Sequence, residues 1–230
     1  MNRSWSNLQR LLGGSAEPVS VTFCDTPPVG TPRVGQAAPA GCAYWKLAAQ
    51  GQTFYTAAAD HLNCPIGAYT HGAELTPEAN AQLNGLIEQM VGIQYLKMEE
   101  VSGIPHRVQP LRYAVYAPLS KTEGTPDVVL VRGNAKQLML LAEAATASGL
   151  MSPTQAMGRP ACSVVAATME SGKVTTSLGC VGNRVYTDLA DDEFYAAVPG
   201  ASVQRVVDAL ETMVEANAKL EEFHRGRCAC

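Results

Sequence analysis

The chain has 230 residues, 47% hydrophobic and 17% charged, with 20 Gly and 14 Pro, which excludes wholesale disorder. That length suits one large domain or two of roughly 115 residues. Seventeen basic residues face 21 acidic ones without a Lys/Arg run, arguing against a nucleic-acid or anionic-membrane surface. No stretch approaches ~18 uninterrupted apolar residues, and the start MNRSWSNLQRLLGG lacks the apolar core of a secretory signal. The expectation is a soluble, cytoplasmic protein with no membrane or nucleic-acid partner.

In chain order, residues 2–12 carry Trp5, Leu8, Leu11 and Leu12 at helical spacing and end at Gly13-Gly14. Pro18 to Phe23 reads as a strand, followed by a Pro- and Gly-rich loop from Asp25 to Gly35. Cys42 to Ala49 suits a short helix, and Thr53 to Thr56 a strand leading into His61-Leu-Asn-Cys64-Pro-Ile-Gly67. Thr76 as N-cap and Pro77 at the first position predict a helix over 77–91. Strands are expected at 113–117 and 127–131, the latter a continuous β-branched run that fits burial on both faces. Asn134 caps a helix over 135–148, residues 162–168 read as helical, and a strand follows at 173–177. A final helix over 201–222 carries one apolar stripe of Val203, Val206, Val207, Leu210, Met213 and Val214.

The two halves share an order of marks. The first runs Pro18, Cys42, Gly51, Cys64, Gly67, Tyr69-Thr70 and Glu78; the second runs Pro126, Cys162, Gly172, Cys180, Gly182, Tyr186-Thr187 and Glu193. The paired cysteines lie 22 residues apart in one half and 18 in the other. The reading is an α/β or α+β protein of two repeated units about a pseudo-twofold axis, around mixed sheets, closed by the C-terminal helix. It divides into an N-terminal helix (1–14), a duplicated domain (15–222; repeats about 15–110 and 111–222) and a flexible Cys-containing tail (223–230).

Gly41-Cys42, Cys64-x-x-Gly67, Arg159-Pro-Ala-Cys162, Ser177-Leu-Gly-Cys180-Val-Gly-Asn-Arg184, Asp191-Asp-Glu193 and Val198-Pro199 form a recognisable series. It resembles the domain of unknown function 169 family of bacteria and archaea over roughly residues 15–220. The resemblance implies a single-family chain and carries no established activity. Cys228 and Cys230 stand outside its pattern.

Seven cysteines, an odd number, argue against a disulfide framework. Cys42, Cys64, Cys162 and Cys180 could supply four thiolates to zinc or an iron–sulfur cluster. Against this, no CxxC pair delivers two ligands from one turn. Plain burial and a redox dithiol such as Cys64 with Cys180 stay open. His61 and His71 flank Cys64 and could add nitrogen ligands. The tail pair Cys228 and Cys230 reads as accessory thiols. Gly67, Gly182 and Arg184 could hold an anionic ligand through turn N–H groups and a guanidinium, although Arg184 could equally pair with Asp191 or Asp192.

Two functions follow. One is a cysteine-dependent metal or iron–sulfur protein in redox or cofactor metabolism, served by a redox partner protein. The other is a small-molecule-binding protein or enzyme with a cleft between the repeats. Association into homo-oligomers is left open.

Overall fold

In the computed structural model, which describes residues 3–14, 16–151 and 160–228, six strands form one sheet. They are β1 (Val19–Cys24), β2 (Phe54–Ala57), β3 (Tyr113–Pro118), β4 (Val128–Asn134), β5 (Thr175–Ser177) and β6 (Glu193–Pro199). Their order is β2-β3-β1-β4-β6-β5, and every ladder between them is antiparallel. The expectation of mixed sheets is thereby corrected. The apolar run of β4 comes from helices covering both faces of an antiparallel sheet, where a parallel sheet would have given the same pattern. β1 and β4 meet at the centre through three residue pairs, Val19 with Leu130, Ser20 with Val129 and Val21 with Val128.

Side chains alternate between two cores, as the two-residue period of a strand requires. Val19, Val21, Ala114, Tyr116, Val128, Leu130, Tyr195 and Ala197 face one side, while Val129, Val131, Ala196 and Val198 face the other. The second side is covered by α1 (Arg3–Leu12), α6 (Ala135–Ala147) and α9 (Val203–Cys228). The first is covered by α2 (Ala43–Ala49), α3 (Pro65–Thr70), α7 (Ser163–Ser171) and α8 (Val181–Thr187). In chain order between α3 and β3, α4 (Pro77–Gly92) packs against α3 and α5 (Met98–Val101) follows it, both largely exposed.

Local chemistry sets these boundaries. The Thr76 hydroxyl accepts the Ala79 N–H at 3.2 Å ahead of Pro77, opening α4. Asn134 and Gln137 exchange side-chain bonds with each other's backbone N–H at 3.1 and 2.9 Å, a capping box that starts α6 as soon as β4 ends. Val203, Val206, Val207 and Leu210 bury the base of α9 almost completely. The helix then continues to Cys228, six residues past the expected end, with its last turns exposed. Among the described residues no helix is long and apolar enough to cross a membrane.

Gly200 closes the turn after β6. Its N–H donates to the Asp127 carbonyl at 2.9 Å, and a Cβ there would collide with the Pro126 backbone. Gly200→Ala is expected to lower stability by about 2–3 kcal/mol, read as a lower urea midpoint at unchanged m.

Candidate functional site

The four cysteines predicted as a set each stand immediately before a helix on the same side of the sheet. Cys42 precedes α2, Cys64 α3, Cys162 α7 and Cys180 α8. Cys42 and Cys162 are buried, at 8% and 7% exposure, whereas Cys64 and Cys180 reach the surface in part. The helices pair across the halves, α3 against α7 and α2 against α8. This crossing draws the cysteines of one half toward those of the other.

Several contacts trace the group. The Asn183 N–H donates to Cys180 Sγ at 3.4 Å, and the Asn183 side chain lies against the Cys42 thiol. Both atoms of that amide are buried without a conventional hydrogen-bond partner. The Cβ position left empty by Gly67 is 3.1 Å from Cys64 Sγ and 3.6 Å from the Gly41 nitrogen, next to Cys42. Any larger residue at 67 would push on the thiol. The Thr70 hydroxyl, at the far end of α3 from Cys64, donates to Cys162 Sγ at 3.2 Å.

The electrostatics match that proximity. Burial pushes the Cys42 thiol up to about 12; the Asn183 side chain pulls against this, while the neighbouring Cys180 and Cys64 sulfurs add to the rise. Burial also raises Cys162 well above the ordinary thiol value, with Thr70 opposing it and Cys64, Cys42 and Cys180 reinforcing it. The segments that carry the thiols, residues 34–45, 61–71, 160–169 and 174–183, contain no Asp, Glu, Lys or Arg. Nucleophilic cysteines need a cation or helix end that lowers their pKa. Burial opposes ionisation of the inner pair, Cys42 and Cys162, although both stand at helix starts.

One zinc ion would need its thiolates about 3.8 Å apart, from a Zn–S bond of about 2.3 Å in tetrahedral geometry. Among the described residues no group of three or more His, Cys, Asp or Glu side chains could close on one metal ion.

The family model DUF169, described as "Uncharacterised ArCR", matches residues 7–209. The chain belongs to the DUF169 family. It is also 27% identical over 172 residues to an uncharacterized protein of Methanocaldococcus jannaschii, MJ0308, covering 68% of this chain and 69% of that protein. No solved structure matches it.

Other predicted residues of this DUF169 chain have different surroundings. The Arg184 guanidinium donates to the carbonyls of Ala190 at 2.6 Å, Leu178 at 2.7 Å and Glu193 at 3.4 Å, fastening α8 to the turn that follows it. Gly182 packs only against the Tyr186 ring, at ordinary contact distance. Arg159 and Cys230 lie outside the described residues, as does the Cys228 side chain, whose backbone ends α9. A cleft of about 420 Å³ does open between the halves, lined by Trp45, Lys46, Arg132, Asp188 and Tyr195 among others. Its two cations are already paired, Lys46 with Asp188 at 2.5 Å and Arg132 with Glu193.

His61 and His71 are fully buried beside one another, ring centroids 5.4 Å apart. His61 Nε2 lies 2.9 Å from Thr56 Oγ1, whose proton goes to the Ala114 carbonyl, so Nε2–H donates and Nδ1 is a bare lone pair. His71 Nδ1 donates to the Gly67 carbonyl at 2.9 Å, leaving Nε2 unpartnered. Burial holds both imidazoles neutral; it brings His71 down to about 4 against the pull of the Gly67 carbonyl, and lowers His61 further below the ordinary value with help from His71. Each ring therefore keeps one buried nitrogen, His61 Nδ1 and His71 Nε2, without a hydrogen-bond partner.

Unfolding lets these imidazoles take up protons below their ordinary pKa of about 6.5. Stability should therefore fall as pH drops from about 6.5 toward 4, by on the order of 3 kcal/mol through His71 alone, and the His71 contribution should level off below that. Urea midpoints measured across this range check it, and His71→Gln should flatten the slope.

Proposed function

We propose that this DUF169 protein holds an iron–sulfur cluster on Cys42, Cys64, Cys162 and Cys180 and serves as an electron carrier or cofactor-handling protein. The observation that carries the reading is the placement of four cysteines at four separate helix starts on one side of the sheet, two buried and two partly exposed. Such a centre would supply reversible one-electron chemistry. Cys64 and Cys180, half-exposed, would form its solvent-facing side, where a redox partner protein could approach.

We further propose that the site arose by duplication, with the two halves related by a pseudo-twofold axis through the β1–β4 seam. The strand order supports this, because each half reads outward as first, third and second strand. Backbone bonding repeats as well. Ala43, Tyr44 and Trp45 donate to Ala40, Gly41 and Cys42, and Ser163, Val164 and Val165 donate to Pro160, Ala161 and Cys162. Cys42 has φ −70° and ψ −18°, Cys162 φ −66° and ψ −18°. The Leu119 N–H donates to the Pro18 carbonyl after β3 as Gly200 donates to Asp127 after β6, at 2.8 and 2.9 Å. On this reading the first repeat extends through β3, past residue 110.

Protein purified or reconstituted without oxygen is expected to contain iron and acid-labile sulfide in equal amounts, with a visible chromophore. Cys180→Ala, altering a half-exposed position, should lose both while keeping its far-UV circular dichroism. Protein that takes up neither iron nor zinc would sink the reading and shift attention to the inter-half cleft.

A further inference from the structure

We propose that the hollow where β1 ends and β3 begins binds the phosphate group of a small molecule through the guanidiniums of Arg107 and Arg112. The site uses none of the four cysteines and stands or falls independently of the reading given to them.

The ladder of β1 and β3 closes with Cys24 opposite Tyr113, so Asp25 and Arg112 flank the same end of it. There a hollow of about 610 Å³ opens, lined by Asp25, Arg107, Gln109, Pro110 and Arg112. That size is usual for a small-molecule site. The segment that carries both arginines is strapped to the end of α3. The Arg107 N–H donates to the Thr70 carbonyl at 3.0 Å, and the Leu111 N–H to the Gly72 carbonyl at 2.8 Å. Gly72 has φ +77°, and a Cβ there would fall 2.7 Å from the Arg107 carbonyl oxygen and 2.6 Å from that of Gln109. The segment therefore fits against glycine alone, and the arginines are held on a fixed backbone.

Arg107 is half-buried, its guanidinium carbon 4.4 Å from the centre of the Phe23 ring. Nη1 donates to the carbonyls of Gln109 at 2.5 Å and Pro110 at 2.9 Å, which uses both of its protons. Nη2 has no acceptor among the described residues, and Nε is buried without one. The Asp127 and Asp25 carboxylates act on this guanidinium only at a distance, and Asp127 accepts the Phe23 N–H at 2.7 Å. Burial pulls Arg107 below the ordinary guanidinium value, and the two carboxylates offset this only in part. A desolvated cation without a contact counter-ion is costly, and an arriving anion relieves that cost. Arg112 is largely exposed and meets Asp25 at 3.9 Å, too far for a hydrogen bond.

Two guanidiniums with open donors thus share one hollow with a single, loosely held carboxylate. Guanidinium donors match oxyanions. A carboxylate offers two oxygens in one plane, whereas a phosphate group offers three terminal oxygens in a pyramid. Donors arriving from two separate side chains therefore fit phosphate better. Arg184, the cation that the sequence put forward for an anionic ligand, spends its terminal nitrogens on backbone carbonyls. Arg107 and Arg112 supply the free donors instead.

The test is calorimetric titration of the full chain with inorganic phosphate, and with acetate for comparison, in parent, Arg112→Gln and Asp25→Asn forms. The parent is expected to bind phosphate, and acetate more weakly. Arg112→Gln should bind phosphate about 10-fold more weakly. Asp25→Asn should bind it about 2–5-fold more tightly, because the carboxylate that competes for Arg112 is gone. Both positions are exposed, and an unchanged far-UV circular dichroism spectrum confirms that each variant folds. A parent that does not take up phosphate, or an Arg112→Gln form that binds it as the parent does, would overturn the proposal. Acetate bound as tightly as phosphate would overturn the assignment to phosphate. If Arg112→Gln does not fold, Asp25→Asn decides: tighter binding supports the site, and unchanged or weaker binding overturns it. Iron content plays no part in these readouts, so failure here leaves the four-cysteine reading where it stood.

Discussion

Three antiparallel residue pairs between β1 and β4 hold this molecule in its functional form. Each half supplies a three-stranded sheet, and neither can bring four cysteines together alone. Pairing the first strand of each half turns the helices of both onto one face, where α3 reaches α7 and α8 reaches α2. The cysteine group is a consequence of that seam. Covering the opposite face with α1, α6 and α9 makes the seam a buried core element instead of an exposed sheet edge.

The site is built on an unusual electrostatic choice. Four thiols occupy segments free of charged side chains, and the two histidines beneath are held neutral by burial. The Thr70 hydroxyl donates to Cys162 Sγ, and the Asn183 amide lies beside the Cys42 thiol. The cleft on the other flank of α2 has charges, but they are matched internally.

Where sequence reasoning missed, local signals competed. α8 carries Val181, Gly182, Asn183 and Val185, all poor helix formers, so 179–184 looked like a glycine turn. Capping of its first turn by Cys180 Sγ and anchoring of Arg184 to three carbonyls hold it helical. β6 had no expectation from the sequence; Glu193 opens the strand and pairs with Arg132. Arg184 looked like a ligand-binding cation because a guanidinium in a glycine-rich stretch has the same spelling in either role. Thr70 gave no sequence signal of its own, since the cysteine to which it donates lies 92 positions away in the chain.

The sequence alone determined the element types with strong periodicity or caps, namely α4, α6, α9, β1 and β4, because those depend on neighbours within a few residues. The tertiary structure decided that all six strands share one antiparallel sheet, that α3 packs against α7 and α2 against α8, and that the two histidines are buried side by side. Those outcomes depend on pairings between residues a hundred positions apart, whose energy comes from burial and from partners that no local window contains.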